Sequence, residues 1–134
     1  MIDVEIITPD RSFYTGKVSF IEMATTEGEI GVYENHVPTT CILAPGVVRL
    51  YEDENHTAEP KVAVIHAGFV EILKDRIRIL AEIAEWPDEI DKNRAEEARI
   101  RAQRRIDEDA DGVDLDRAEL ALKRALVRLS VKNK

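Results

Sequence analysis

Four arginines in the carboxyl-terminal part of the chain are of the residue type that binds phosphates, and an aspartate lies close to one of them in the sequence. Arg94 and Arg101 are seven residues apart, and Arg124 and Arg128 are four apart, so each pair can share one face of a helix. Guanidinium groups donate hydrogen bonds in a planar fork that matches phosphate oxygens. If two helices bring these faces together, four guanidinium groups converge, and Asp91 adds a carboxylate. The pattern is one that could bind a phosphate-bearing ligand.

The same residues also have an interpretation without a ligand. The arginines can lie on solvated faces and pair with Glu96, Glu97 and Glu119, where each exposed ion pair contributes only ~0–1 kcal/mol. Asp91 can cap a helix by accepting a backbone N–H two or three residues on. Capping and ligand binding are compatible, because a carboxylate has two oxygens. Spacing alone leaves both interpretations open.

The elements that would position these side chains form a predicted α-helical hairpin at residues 90–134, after a linker at residues 85–89. Pro87 holds Trp86 in an extended conformation, and the acidic residues around it suit the start of a helix. Apolar residues recur every three or four positions and form one stripe on each helix. The stripes consist of Ala95, Ala98, Ala102 and Ile106, and of Leu115, Ala118, Leu122, Ala125 and Leu129. Alanine seams bury little area, so we expect a hairpin of low intrinsic stability.

Residues 1–84 have the pattern of an antiparallel β-sandwich. Short runs rich in apolar and β-branched residues alternate with turn signals every 8–12 residues, as in sandwiches and barrels. A turn at Ala67-Gly68 is predicted to separate two strands, and Phe69 and Trp86 are interpreted as packing residues. The predicted fold class is therefore α+β, with this sandwich followed by the hairpin. Strands are predicted at residues 4–8, 18–23, 30–32, 40–43, 47–51, 61–65, 69–73 and 76–81.

The charge of the chain is unevenly distributed. Residues 1–85 contain 7 Lys/Arg and 15 Asp/Glu, whereas residues 86–134 contain 12 of each, and the formal net charge is −8. An acidic sandwich argues against nucleic acid as the main partner. The single Cys41 excludes an internal disulfide and suits a reducing compartment. No membrane-spanning run or signal peptide is indicated, so any membrane association is expected to pass through a partner.

Metal and catalytic sites are not indicated. His36, His56 and His66 are far apart in the sequence and have no metal-ligand spacing. Residues 107–112 resemble the first half of a calcium-binding loop, but Ala118 stands where that loop needs a bidentate glutamate, so a polar turn is predicted. The sequence shows no phosphate-binding loop, nucleophile or acid–base pair, and we expect a protein that is not an enzyme.

Several segments, in order, resemble the epsilon subunit of the F-type rotary ATP synthase. The segment Thr26-Glu27-Gly28-Glu29-Ile30-Gly31-Val32, with Asn35-His36-Val37-Pro38, is similar to that family's G-E-x-G-I…G-H-x-P-L pattern. Ile90-Asp91-Lys92-Asn93-Arg94-Ala95 fits the I/L-D-x-x-R-A signature of its ATP-binding bacterial members. The chain departs from the family at Tyr33-Glu34-Asn35, where Pro-Gly usually precedes the histidine. The remaining matches are Leu43-Ala44-Pro45-Gly46, residues 67–72, residues 80–85, residues 117–125 and residues 128–131.

The resemblance implies a non-catalytic regulatory and coupling subunit of the central stalk. Its sandwich would bind the gamma subunit and the ring of c subunits, with Glu29, Glu34 and His36 at the ring in an exposed loop of residues 27–36. Its tail would switch between a compact hairpin and an extended form that reaches the alpha/beta catalytic head and blocks ATP hydrolysis. The complex would lie at the cytoplasmic face of the cell membrane.

The resemblance also implies that ATP, with or without magnesium, is a regulatory ligand, and that no catalytic cofactor is needed. The alternative function is an ATP-sensing adaptor domain of an unrelated assembly. The nucleotide-binding residues would be Glu85, Ile90, Asp91, Arg94, Ala95, Arg101, Arg124 and Arg128.

Overall fold

The computed structural model of the chain describes residues 1–55, 57–108 and 114–132. The chain divides into two compact units, Met1–Glu85 and Trp86–Lys134. His56 and residues 109–113, which include most of the calcium-loop-like segment, lie outside the described residues. The first unit is built of strands and the second of helices, so the predicted fold class is confirmed.

The first unit contains eight strands. They are hydrogen-bonded in the order β2-β1-β8-β7-β6-β3-β4, and β5 pairs with β7 outside this path. All pairs are antiparallel except β1 with β8, which run parallel. The strands are β1 Ile2–Ile7, β2 Ser12–Val18, β3 Phe20–Thr25, β4 Gly28–Tyr33, β5 Thr39–Ile42, β6 Gly46–Tyr51, β7 Lys61–Ile72 and β8 Arg76–Glu85.

The core of this unit consists of aliphatic side chains from most of the strands. Alternate residues point to opposite faces of a strand, and the largest fully buried side chains follow this alternation. Burial of this apolar area is the main stabilising term of the unit. These side chains include Ile2, Val4, Ile6, Val18, Ile21, Met23, Leu50, Ile65, Ile72, Ile77 and Ile79.

The predicted turn at Ala67-Gly68 is wrong, because β7 continues through it as one strand of 12 residues. Ala67 has φ 59° and Gly68 has φ 137°, and these two conformations bend the strand. Before the bend, β7 pairs with β6, and after it β7 pairs with β5. Four consecutive residues, 63–66, are buried before the bend, whereas after it only Val70 and Ile72 are buried. One bent strand thus replaces two predicted strands.

The sequence does not predict β2, and the predicted strand over residues 18–23 has the wrong boundary. Val18 ends β2, and β3 begins only at Phe20. Gly16 weakens the strand signal of β2, but the structure requires a small residue there. A Cβ at this position would lie 2.6 Å from the hydroxyl of Tyr14. Tyr14 donates a hydrogen bond to Glu52 at 2.8 Å, and burial together with that bond raises the pKa of Tyr14.

The second unit begins with a short 3-10 helix, Pro87–Glu89, followed by α1, Lys92–Glu108, and α2, Leu115–Lys132. Trp86 is extended at φ −78° and ψ 152°, as the following proline requires, and its N–H donates to the Glu89 carboxylate at 2.8 Å. The helices pack through small side chains, since Ala95 and Ala102 of α1 are buried. From α2, Ala118, Ala125 and Leu129 are buried.

The predicted seam is therefore confirmed at its centre but not at every position. Ala98, Ile106 and Leu122 are half-buried, and Leu115 is exposed. Leu115 is the first residue of α2, where the helix has only one neighbouring turn to pack with. The seam that holds the two helices together is thus mainly alanine, which buries little apolar area per residue.

Candidate nucleotide site and interaction surfaces

Asp91 and Arg94 lie at the start of α1, and both side chains are exposed. The Asp91 Oδ1 atom accepts the backbone N–H of Arg94 at 3.2 Å, so the predicted capping role of Asp91 is confirmed. Asp114 caps α2 in the same way, with the N–H of Arg117 at 3.1 Å. One oxygen of the Asp91 carboxylate thus caps the helix, and the second oxygen can accept a hydrogen bond from a ligand.

Ile90 and Ala95 are buried beside these two exposed residues. The Ile90 N–H donates to the carbonyl of Pro87 at 3.2 Å, which closes the 3-10 helix directly before α1. The 3-10 helix also contacts α2. An apolar side chain and a carboxylate therefore lie next to each other at the base of the hairpin, the combination that an adenine base would need for stacking and hydrogen bonding.

The arginines of the candidate site differ in their environments. Arg94 and Arg101 are exposed on α1, whereas Arg124 and Arg128 are half-buried on α2. The Nε atom of Arg124 is buried and has no hydrogen-bond acceptor among the described residues. A buried guanidinium N–H without an acceptor is unusual and costly.

The alternative interpretation pairs these arginines with carboxylates of the same helices, and one of those carboxylates, Glu96, has a different partner. Glu96 pairs with Arg99, which is outside the candidate set, and accepts hydrogen bonds from both its Nε and Nη2 atoms. This bonding holds the pKa of Glu96 below its ordinary value. Glu96 is therefore engaged within its own turn of α1.

Glu85 belongs to the first unit, as the last residue of β8. Its carboxylate lies beside the imidazole of His66 in β7, with 3.4 Å between Oε1 and Nε2. His66 is completely buried, although it was interpreted from the sequence as an isolated histidine. Nothing in the local sequence pairs these two residues, which are neighbours only because of the register between β7 and β8.

The three predicted ring-contact residues do not cluster, and the predicted loop over residues 27–36 is wrong. Gly28–Tyr33 form β4, so Glu29 lies near one end of a strand, and Glu34 and His36 follow the other end. Five residues of strand separate Glu29 from Glu34 by roughly 17 Å. The Met1 ammonium pairs with Glu34 and holds its pKa below the ordinary value. The His36 Nδ1 donates to the carbonyl of Val37 at 2.7 Å.

Asn35 explains how the chain departs from the Pro-Gly pattern without losing the turn. Its φ is 68°, in the left-handed region that glycine usually occupies and that asparagine tolerates better than other residues. Its N–H donates to the carbonyl of Lys74 at 2.8 Å, which fixes the segment after β4. The conformational role of the glycine is therefore kept by a different residue.

An apolar row that sequence analysis missed crosses four strands on the outer face of the first unit. Ile42 of β5 opposes Phe69 of β7, Phe69 opposes Leu80 of β8, and Leu80 opposes Ile7 of β1. Ile42 is 63% exposed and Phe69 is 42% exposed, while the other two are half-buried. Phe69, interpreted from the sequence as a packing residue, is thus partly exposed in this unit. We call these four residues the apolar row.

A charged row lies next to the apolar row, two residues along each strand. Glu71 opposes Arg78, and Arg78 opposes Glu5, with 3.6 Å between Arg78 Nε and Glu5 Oε1. An exposed apolar strip with a polar rim is the arrangement found at protein–protein interfaces. In the sequence, this surface is indicated only by the alternation of apolar and charged residues after the bend in β7. That alternation can be interpreted only when the bend is known.

No metal site or membrane-spanning helix is found in the described parts of the chain. Among those residues, no three His, Cys, Asp or Glu side chains are grouped so that they could hold a metal ion. Neither described helix is long and apolar enough to cross a bilayer.

Known families match the chain along its whole length. Residues 1–87 match the family described as "ATP synthase, Delta/Epsilon chain, beta-sandwich domain", and residues 88–133 match "ATP synthase, Delta/Epsilon chain, long alpha-helix domain". The boundary between the two matches falls close to the division between the two units.

Curated relatives are similar over most or nearly all of the chain. The ATP synthase epsilon chain of Caldanaerobacter subterraneus subsp. tengcongensis is 40% identical over 98% of this chain and 93% of its own length. That of Ruminiclostridium cellulolyticum is 36% identical over 98% and 95%. That of Bacillus subtilis is 41% identical over 78% and 76%.

Solved structures share the fold at lower sequence identity. A chain of the Euglena gracilis mitochondrial ATP synthase, in a structure of OSCP/F1/c-ring, superposes with a TM-score of 0.84 at 24% identity, over 99% of this chain and 81% of that chain. A chain of the Tetrahymena thermophila mitochondrial ATP synthase central stalk and c-ring gives a TM-score of 0.62 at 14% identity.

A β-sandwich followed by a helical hairpin, with both parts matched to the same family, defines a delta/epsilon-type subunit of an ATP synthase. Within that class, the chain belongs to the ATP synthase epsilon-chain family. Members of this family are non-catalytic stalk subunits, so the chain is not an enzyme in itself. The family resemblance noted in the sequence is confirmed.

Proposed function

We propose that this chain couples and regulates the F-type ATP synthase as an ATP-sensing subunit of its central stalk. The sandwich binds the gamma subunit and the c ring, and the hairpin moves to the alpha/beta catalytic head, where it inhibits ATP hydrolysis. The complex stands at the cytoplasmic face of the membrane. The observation that carries the proposal is the division into two units, in which the tail is a compact body held together mainly by alanine.

An alanine seam makes a reversible hairpin physically reasonable. Apolar burial contributes ~25 cal/mol per Å², and an alanine side chain offers little area compared with leucine or isoleucine. Opening the helices therefore costs little, so a ligand or partner with a preference for one form can shift the equilibrium. A leucine-rich seam would hold one form permanently.

The proposed nucleotide site comprises Glu85, Ile90, Asp91, Arg94, Ala95, Arg101, Arg124 and Arg128. The unsatisfied Nε of Arg124 supports a phosphate as the missing acceptor. Arg128 lies one turn farther along the same helix, so both guanidinium groups can reach one polyphosphate. Arginines from α1 and α2 meet over a ligand only while the hairpin is closed. ATP therefore stabilises the closed form by about 2.7 kcal/mol at a hundredfold excess over its Kd.

Removal of the tail is expected to release hydrolysis. A chain ending at Trp86 keeps every strand of the first unit, because β8 ends at Glu85. It should fold, bind gamma, and raise the ATP hydrolysis rate of the reconstituted complex several-fold at low ATP. The measurement is hydrolysis by complexes that contain equal amounts of the full or shortened chain. An equal rate in both complexes would contradict an inhibitory tail.

The apolar row is the surface that we assign to gamma. Its exposed side chains lose unfavourable contact with water when a partner covers them, and the charged row beside it suits the rim of an interface. Rotor torque has to pass between gamma and this subunit, which requires a rigid platform. A row carried by four hydrogen-bonded strands provides one.

A carboxylate in this row should disrupt the gamma complex without unfolding the chain. Phe69→Asp is expected to weaken gamma binding by at least about tenfold, because interface aromatics contribute strongly to affinity. Val37→Asp is the matched control, since Val37 is 74% exposed and lies outside the row. Both variants should melt close to the parent. If Phe69→Asp and the parent bind gamma with equal affinity, the apolar row is not the gamma interface.

We place the c-ring contact at Glu29, in the turn where Thr26, Glu27, Gly28 and Glu29 are all exposed. The hydroxyl of Thr25 accepts the N–H of Glu27 at 3.2 Å and donates to the carbonyl of Gly28 at 2.6 Å, so the turn is well defined. Glu34 and His36, at the other end of β4, then face a different surface.

Short crosslinkers should distinguish the two ends of β4. In the assembled complex, a cysteine at Glu29 is expected to crosslink to a c subunit, and a cysteine at Glu34 is not, because the two positions are roughly 17 Å apart. The products can be identified by subunit-specific antibodies. If only the cysteine at Glu34 forms an adduct with a c subunit, the sandwich contacts the ring with the opposite end of β4.

A further inference from the structure

His66 is a buried polar side chain that the proposed function does not use. It is 0% exposed, and neither Nδ1 nor Nε2 makes a hydrogen bond of good geometry. Buried imidazole nitrogens normally have partners, because enclosure removes the water that would otherwise bond to them. A fully enclosed histidine in the middle of a strand therefore needs a physical reason.

The carboxylate of Glu85 supplies that reason. His66 opposes Ile83 and Val64 opposes Glu85, so His66 and Glu85 are diagonal neighbours across the β7–β8 pair. The 3.4 Å between Nε2 and Oε1 is longer than an ordinary hydrogen bond of about 2.7–3.2 Å. A shift of a few tenths of an ångström in the carboxylate thus brings the two atoms within hydrogen-bond distance.

We propose that His66 is a positioning residue for Glu85. The imidazole is fixed by its burial in the sheet, whereas the Glu85 side chain is 24% exposed. The buried imidazole therefore sets the place of the more exposed carboxylate. This inference rests on the proposed function, in which Glu85 is one of the nucleotide-binding residues. His66 acts through the carboxylate and does not touch the nucleotide.

The test compares His66→Leu, which removes the ring nitrogens, with His66→Gln, whose amide keeps an N–H donor near the position of Nε2. In calorimetric titration of the full chain with ATP, His66→Leu should bind about tenfold more weakly, the loss expected for a hydrogen bond to a charged group. His66→Gln should stay within about threefold of the parent. A purely structural role would not be rescued by the amide.

A double-mutant cycle shows whether His66 works through Glu85. In a Glu85→Gln background, His66→Leu should cause no further loss of ATP affinity, since the group that it positions has been removed. Ile65→Val is the packing control, because it trims a buried neighbour on β7 and should leave ATP affinity unchanged. The proposal is overturned if His66→Leu binds ATP like the parent, if His66→Gln is as weak as His66→Leu, or if the two losses add.

Failure of the nucleotide site is distinguishable from failure of this inference. If the parent gives no heat with ATP, the proposed site is wrong, and thermal unfolding of the same set of chains decides the positioning role alone. Non-additive changes in melting temperature for substitutions at His66 and Glu85, together with a parent-like melting temperature for His66→Gln, would support the interaction between the two side chains. Additive shifts would overturn it.

Discussion

Chains that carry both Asp91→Ala and Arg94→Ala should bind ATP at least about a hundredfold more weakly than the parent, since two charge-assisted contacts are removed. The two residues lie at the exposed start of α1, where one carboxylate oxygen of Asp91 accepts the N–H of Arg94. ATP should then no longer raise the melting temperature of the chain. The measurement is a thermal melt of parent and variant at increasing ATP concentration.

Loss of the helix cap is the effect that has to be separated from loss of ligand contacts. Removing a capping aspartate destabilises a helix by about 1 kcal/mol. Asp114→Ala is the matched control, because Asp114 caps α2 with the same geometry and has no proposed nucleotide contact. It should lower the melting temperature and keep the ATP-dependent shift. An ATP-dependent rise in melting temperature as large in the Asp91→Ala/Arg94→Ala variant as in the parent would show that these two residues do not bind ATP.

Gly68→Ala is expected to destabilise the sandwich by roughly 3 kcal/mol or more, through backbone strain and a steric clash. Gly68 has φ 137°, and a Cβ there would lie 2.1 Å from the carbonyl oxygen of Leu80 and 2.8 Å from the Cα of Ala81. Both obstacles are backbone atoms of β8, which cannot move without breaking the strand pair. The melting temperature should fall by roughly 10–20 °C.

Gly28→Ala isolates the conformational part of that effect. Gly28 has φ 122°, but a Cβ there would meet nothing within 4 Å. Its substitution should therefore cost only about 1 kcal/mol, the strain of a positive φ without a clash. Denaturant unfolding of both variants measures the difference. Equal losses for Gly28→Ala and Gly68→Ala would show that contact with β8 is not what requires glycine at the bend.

The sequence predicted the fold where local pattern decides structure. The alanine stripe of α1, the cap at Asp91 and the break at Pro87 all depend on neighbours within a few residues, and the structure has each of them. The sequence did not predict the continuous β7, since an alanine followed by a glycine looks like a turn. In the structure both residues have a positive φ within one strand. Whether such a pair ends a strand or bends it depends on the partner strands, which only tertiary structure defines.

The candidate surfaces depended even more on non-local register. Phe69 follows a run of four buried residues, so the local pattern does not assign it to a face, whereas its pairing with Ile42 and its exposure place it on the surface. The pair of His66 and Glu85 likewise joins residues that are far apart in the sequence. Glu29 and Glu34 are close in the sequence but far apart in space, because most of the length of β4 lies between them.

We propose that the tail of this epsilon-family chain is a nucleotide sensor. Calorimetric titration of the chain with ATP, and separately with ADP, measures this directly. We expect one saturable site for ATP and weaker binding of ADP, which offers one phosphate fewer to the arginines of α1 and α2. Absence of binding heat with both nucleotides, or equal affinity for the two, would contradict it.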